Sequence, residues 1–331
     1  MYSYELLYEY TGDSKWAERL ELLAFNALPA TASDDMWTHQ YDQMSNQIDC
    51  SRIPGRPHFG TNSADAHIFG LEPNFGCCTA NFGQGWPKFI RSAFYKTERG
   101  LISAVAVPSE VSIDWKGAPI KVSLVTDYPF RNSFRYTVTA EKKTDFILEV
   151  RIPSFAKNLK VNGKAVRRRD HLSFGPFRAG ETVIDLSFET LPELVARPNR
   201  LYTAKMGSLV FSVNVESEWI MKEYTLHGVE RKFPYCDYYL LPKSDWNYGY
   251  ASRELLSEER AVDAVPFSSK NPPVVLYADL SHIDWGYEPR YDCVCAKSPR
   301  SRVALDEARR IALFPYGCAK LRMTELPIVK K

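Results

Sequence analysis

The sequence predicts an α+β multidomain protein in which helices give way to antiparallel β structure near residue 100. Its 331 residues exceed one ordinary core and suit two or three units of about 100 to 150 residues each. Before residue 100 the apolar residues recur at helical spacing, and after it they alternate with polar ones. Turn residues then punctuate the chain every eight to twelve residues or so, the spacing of a β-sandwich.

The elements follow in order. Tyr2 to Tyr10 reads as the second half of a helix stopped at Thr11-Gly12, with Met1 in the position of an internal methionine. Asp13 or Ser14 caps the next helix, in which Trp16, Leu20, Leu23, Ala24 and Ala27 recur until Pro29. Residues 30 to 78 form a long polar and aromatic connection containing Trp37, His39, Tyr41, Asn46, His58 and His67; connections this long are usually functional. Trp86, Phe89, Ile90, Ala93 and Phe94 predict a third helix with Pro87 in its first turn.

From Leu101 the period is two. Strands are expected at Leu101 to Val107, Val111 to Trp115, Ile120 to Thr126, Phe134 to Ala140 and Phe146 to Ile152. Lys116-Gly117 and Asn162-Gly163 read as hairpin turns, the latter because both central residues of a type I′ turn need positive φ. The pattern resumes at Ser208 to Val213, breaks at the aromatic stretch Tyr235 to Tyr250, and returns at Val274 to Tyr277 and Ile311 to Phe314. A second β unit follows.

Composition narrows the function. A net charge of +2 gives no reason to expect nucleic acid, and the run Arg167-Arg168-Arg169 reads as solvated hairpin residues. No stretch reaches the apolar length of a membrane-spanning helix. Homo-oligomerisation stays open. Seven scattered cysteines, an odd number, suit a reducing and therefore cytoplasmic compartment.

Two of those cysteines, Cys77 and Cys78, are adjacent. Consecutive Cα atoms lie only about 3.8 Å apart, too close for a relaxed disulfide, so the pair reads as thiols, metal ligands or small buried hydrophobes. Set before a helix, they should be acidified by its dipole. Zinc needs three or four ligands. Glu72, His58 and His67 are candidates to add to the pair, each equally readable as an ordinary loop residue, while Cys293 and Cys295 read as strand-core packing. Cys50, Cys236 and Cys318 have no evident partner. Trp219, Trp246, Tyr248 and Trp285 could instead line a sugar platform if they are exposed together.

The run GLEPNFGCCTANFGQGWPKF, the preceding TGDSKWAERLELLAFNALPATASDDMWTHQYDQ and the closing FPYGCAKLRMTELP resemble glycoside hydrolase family 127, the β-L-arabinofuranosidase-like group. The resemblance implies the C-terminal helices of an (α/α)6 barrel in residues 1–98, a β-sandwich in 99–205 and a second β-rich domain in 206–331. It implies a retaining glycosidase acting on β-L-arabinofuranosides or related plant-derived sugars. Cys77 matches the catalytic nucleophile and, with Cys78, a zinc ligand; Tyr41 is loosely matched to a substrate-binding residue. The family's other ligands belong to a Glu-x-Cys motif that falls outside this sequence, as does the acid/base glutamate, and Glu5 and Glu9 do not replace them. Zinc is expected for the complete site, and weak binding by these residues alone. Thr79-Ala80 stand where characterised arabinofuranosidases carry two prolines. The alternative implied is a non-catalytic carbohydrate-binding or structural remnant.

Overall fold

A computed structural model describes residues 1–53, 64–71 and 75–330. The chain divides into two compact units, Met1–Phe25 with Gln84–Leu191 and Asn26–Gly83 with Pro192–Lys331, so residues 1–98 contribute to both.

In the first unit, the helix Tyr2–Thr11 stops where Gly12 turns to φ 65° and its N–H bonds Tyr8 O. Asp13 caps Ser14–Leu22 by accepting the Lys15 N–H at 3.0 Å. The helix then widens into a π turn at Leu23–Ala27 and continues for one more turn, Leu28–Ala30, which contains Pro29 and already belongs to the second unit. The third helix is shorter than its spacing predicts. It spans Gly85–Arg91, and Phe94 opens a strand, Phe94–Thr97, that pairs with Gly100–Ser103.

Two sheets make the sandwich of this unit. One runs Lys164–Ala165, Lys157–Val161, Gly180–Glu189, Ser133–Ala140, Ala118–Val125 and Ser109–Trp115, all antiparallel. The other runs His171–Phe174, Ile147–Arg151, Gly100–Ser103 and Phe94–Thr97. Alternate residues point inward: Ile120, Val122 and Leu124 on one strand and Phe134, Tyr136 and Val138 on its neighbour are buried. The sheets meet where Ser103 Oγ lies 2.8 Å from the Tyr136 hydroxyl. Both expected hairpins form, with φ 53° and 76° at Lys116 and Gly117, and 48° and 75° at Asn162 and Gly163. Gly100 is required for a different reason. It sits at φ 152° in a parallel pairing with Ile147, and a Cβ there would lie 2.1 Å from Ile147 O.

One charged pair is sealed into this unit. The Arg151 guanidinium donates to Glu21 and to Ala104 O, while Glu21 also accepts the Ala106 N–H and the Tyr128 hydroxyl, each at 3.0 Å. Both side chains are essentially solvent-free.

The second unit is built on a nine-stranded sheet, counted among the described residues. Its main path is Asn46–Gln47, Leu321–Met323, Leu209–Val215, Arg309–Pro315, Val274–His282 and Tyr248–Glu259. Leu201–Met206 pairs with Leu209–Val215, Glu193–Arg197 and Leu326–Pro327. A smaller sheet joins Ser217–Lys222, Asp237–Pro242 and Phe69–Gly70.

Residues 1–98 are expected to hold only the C-terminal helices of an (α/α)6 barrel, and no such barrel is evident among the described residues, whose helices are few and whose commonest regular structure is strand. The described part of residues 30–78 is a connection with only short regular elements, docked by long-range hydrogen bonds: Gln47 Nε2 donates to Lys320 O at 2.8 Å, and Asn46 bonds the backbone of Thr324 and Glu325.

Candidate functional site

The cysteine pair is not part of a loop leading into the helix Gly85–Arg91. It lies in a short helix of its own, Gly76–Phe82, in the second unit, with Cys77 exposed and Cys78 half-buried. Asn81 Nδ2 donates to Cys77 O at 2.8 Å, tying the turn together.

The helix rests beside residues 39–42. Residues 39 and 41 of this extended stretch share a side because side chains alternate. Tyr41 stacks on Phe75, two residues before Cys77, at 4.0 Å and 15° between planes. The His39 ring stacks on Phe82 at 5.8 Å, and its Nε2 lies 3.1 Å from Thr79 Oγ1. The Thr79 hydroxyl donates its single hydrogen to Leu71 O at 2.7 Å, so His39 Nε2 must carry the hydrogen of their bond. Gln40 faces the other way, donating to His67 O at 2.7 Å and to Cys50 Sγ at 3.2 Å. His39 also exchanges backbone hydrogen bonds with Gly70 at 2.9 and 3.1 Å, which anchors the stretch to the small sheet.

The expected acidification fails at Cys78. Burial, then the adjoining Cys77 thiol, then the Asp42 carboxylate push its thiol up to about 11. A seven-residue helix has a small dipole to set against them.

Among the described residues no group of three or more His, Cys, Asp or Glu is arranged to hold a metal. Cys77 and Cys78 supply two sulfurs, fewer than the three or four donors zinc takes, so this donor set does not fit the metal. His67 is buried in the turn Ala64–His67; Glu72 and His58 lie outside the described residues. Cys293 and Cys295 pack in a strand as core residues. Burial pushes the thiols of Cys295 and Cys318 up to about 12 and raises that of Cys50 as well. In the first unit Glu5 is buried, which raises its carboxyl pKa, and Glu9 is exposed.

The four-residue aromatic platform does not exist. Trp285 is buried and donates to Ala296 O at 2.8 Å, Trp246 is buried against Tyr287, and Tyr248 stacks on His282. Only Trp219 of the four is substantially exposed, because the other three fill the space around the strands they come from.

These features define a class: an antiparallel β-sheet protein carrying a vicinal thiol pair on a short helix. The resemblance to glycoside hydrolase family 127 holds, because residues 100–174, a stretch within the sandwich and apart from the thiol pair, match the family model described as Beta-L-arabinofuranosidase, GH127 middle domain. Three solved structures share the fold. A glycoside hydrolase is 17% identical at a TM-score of 0.60, over 98% of this chain and 50% of its own. A GH127 β-L-arabinofuranosidase from Geobacillus stearothermophilus T6 is 16% identical at 0.58, over 96% and 46%. A further GH127 beta-arabinofuranosidase is 16% identical at 0.57, over 99% and 48%. The chain thus spans about half the length of each of these three structures. No curated protein matches it.

Proposed function

We propose that this chain is part of a retaining glycoside hydrolase acting on β-L-arabinofuranosides or related plant-derived sugars, with Cys77 as nucleophile. What supports the reading is an exposed Cys77 beside the stacked Tyr41 and Phe75 rings, in a chain that carries the GH127 middle-domain match. In this reaction Cys77 Sγ bonds the anomeric carbon as the glycosidic C–O bond breaks, and a general acid gives its proton to the leaving oxygen. Water, giving a proton to the conjugate base of that acid, then displaces the sulfur as thiolate and restores the original anomeric configuration. Tyr41, held flat against Phe75, would border the sugar as a substrate-binding residue, and His39 would hold the helix through Thr79.

Hydrolysis of p-nitrophenyl β-L-arabinofuranoside by wild type and Cys77→Ala tests this, with mass spectrometry of the Cys77 peptide after rapid acid quench. Turnover that falls on the order of 10³-fold or more in the variant, with a pentosyl adduct on Cys77 in the wild type, supports the reading. Wild-type turnover that survives the substitution sinks it.

A further inference from the structure

A second concave site lies in the second unit, apart from the cysteine helix: a cleft of about 770 Å³, none of whose lining residues comes from Gly76–Phe82. That volume is in the range of small-ligand sites. Its lining combines the aromatic rings of Trp37, Trp219 and Tyr238 with the carboxylates of Asp34, Asp35 and Glu216. Lys270 and Lys320 bring positive charge to the same lining and offset all but one of its carboxylates.

The rings are presented and braced. Trp37 is 45% exposed and Trp219 38% exposed, unusual values for indoles in a packed protein. Trp37 meets Tyr235 edge-on at 5.6 Å, and Trp219 is wedged by Phe69 at 5.3 Å and Tyr238 at 5.8 Å. The loop bearing Trp37 is closed on itself: Ser33 N donates to Thr38 O, Thr38 N donates to Ser33 Oγ, and Asp35 Oδ1 accepts both the Ser33 hydroxyl and the Trp37 N–H. Rings fixed before a ligand arrives lose little freedom on binding.

The polar groups are those a polyol needs. Carboxylates accept from hydroxyls and ammonium groups donate to them. Lys320 is almost wholly buried, held by Pro29 O at 2.9 Å and Gly317 O at 3.1 Å, with Asp34 at 3.9 Å. Thr38 lines the cleft at 3% exposure, and its Oγ1 has no hydrogen-bond partner among the described residues. A buried hydroxyl left without a partner is costly, and a ligand hydroxyl would satisfy it.

We infer that this cleft is a binding site for a neutral carbohydrate, a sugar face stacking on Trp37 and Trp219 while its hydroxyls meet Asp35, Glu216 and Thr38. The two lysines favour a neutral polyol over an organic cation, which would want the carboxylates without them. The site does not depend on Cys77.

Isothermal titration calorimetry and ligand-observed NMR with arabinotriose, xylotriose and cellotriose test it, using wild type, Trp37→Ala, Trp219→Phe, Glu216→Gln and a Cys77→Ala/Cys78→Ala double variant. Circular dichroism on each variant separates lost binding from lost fold, and the exposed Glu216→Gln keeps a readout if a Trp variant fails to fold. At least one trisaccharide should bind with a Kd of about 1 mM or tighter. Affinity should fall about tenfold in Trp37→Ala and a few-fold in Trp219→Phe and Glu216→Gln, and be unchanged in the double cysteine variant. Loss of hydrolysis in the double variant with binding intact separates this cleft from the catalytic reading. No trisaccharide binding up to about 10 mM, binding indifferent to the folded cleft variants, or tighter binding of tetramethylammonium than of every sugar would each overturn the inference.

Discussion

The six-stranded sheet of the first unit and residues 26–53 of the second are both rich in polar residues, yet they are ordered by different means. In the sheet, each strand carries its own instruction. Ala118–Val125 and Ser133–Ala140 alternate inward and outward residues, and the register of the pair follows from that alternation. Residues 26–53 carry no such period. They are held by side chains that reach backbone groups far along the chain, as Asn26 reaches Ser208 O and Val210 N, and Gln47 reaches Lys320 O. A segment ordered by local pattern tolerates change at many positions, whereas one ordered by a few long-range bonds depends on each of them.

The largest expected effect tests what lies beneath the patterned unit. Glu21→Gln leaves the buried Arg151 guanidinium with only the more distant Glu18 carboxylate, 3.9 Å away, as countercharge, and removing one partner of such a pair costs about 3 to 5 kcal/mol. Urea unfolding monitored in the first unit should show it. A loss under about 1 kcal/mol would mean that water reaches Arg151.

Asn46→Ala comes next, because one amide serves Glu325 O, Glu325 N and Thr324 N at 2.8 to 2.9 Å. Loss of about 2 to 3 kcal/mol is expected, with faster amide exchange at Thr324 and Glu325. If exchange there is unchanged, the long-range account of this segment is wrong.

A smaller effect, of opposite sign, is expected at Asp237 in the small sheet. Burial raises its pKa; the Tyr224 hydroxyl, 2.6 Å away, partly offsets that, and Asp65 adds to it. The folded state therefore holds this proton more tightly than the unfolded state, whose pKa is near 3.8. Stability from this group is fully present below that value and declines as pH rises through the raised folded pKa. Asp237→Asn should accordingly raise the urea midpoint at pH 7 relative to wild type, with the gain disappearing in acid. A midpoint difference that does not change with pH would assign the effect to packing.

The smallest effect belongs to the sheet surface. Lys121 and Glu110 pair across neighbouring strands at 2.8 Å, and both are more than half exposed. Lys121→Ala should shift stability by no more than about 0.5 to 1 kcal/mol, an amount salt removes. A larger, salt-independent loss would show that the outward face of the sheet also carries packing.

The same contrast explains how much could be read in advance. The change of period near residue 100, the Gly12 stop, the Asp13 cap and the Asn162-Gly163 hairpin are local signals, and each appears where the sequence puts it. The third helix was overextended because Phe94 fits a helical face and a strand equally well; its pairing with Ser103 decided the matter. The cysteine pair was visible as chemistry, but its own short helix was not, since GCCTANF carries neither a side-chain cap nor a period long enough to register. His39 was visible only as one residue of a long connection. Its contact with Thr79, like that between Tyr41 and Phe75, joins residues more than thirty positions apart.

By itself, then, the sequence determined the helix caps, the hairpin turns, the alternating strands and the vicinal thiols, because each depends on residues within a few positions of one another. Tertiary structure alone decided which aromatics are buried and which face a cleft. It sealed Glu21 against Arg151, set Cys78 within the field of Asp42, and brought Trp37 and Trp219 into the lining of one cleft. Burial and neighbouring charge are sums over residues distant in the chain, and no local pattern encodes such a sum.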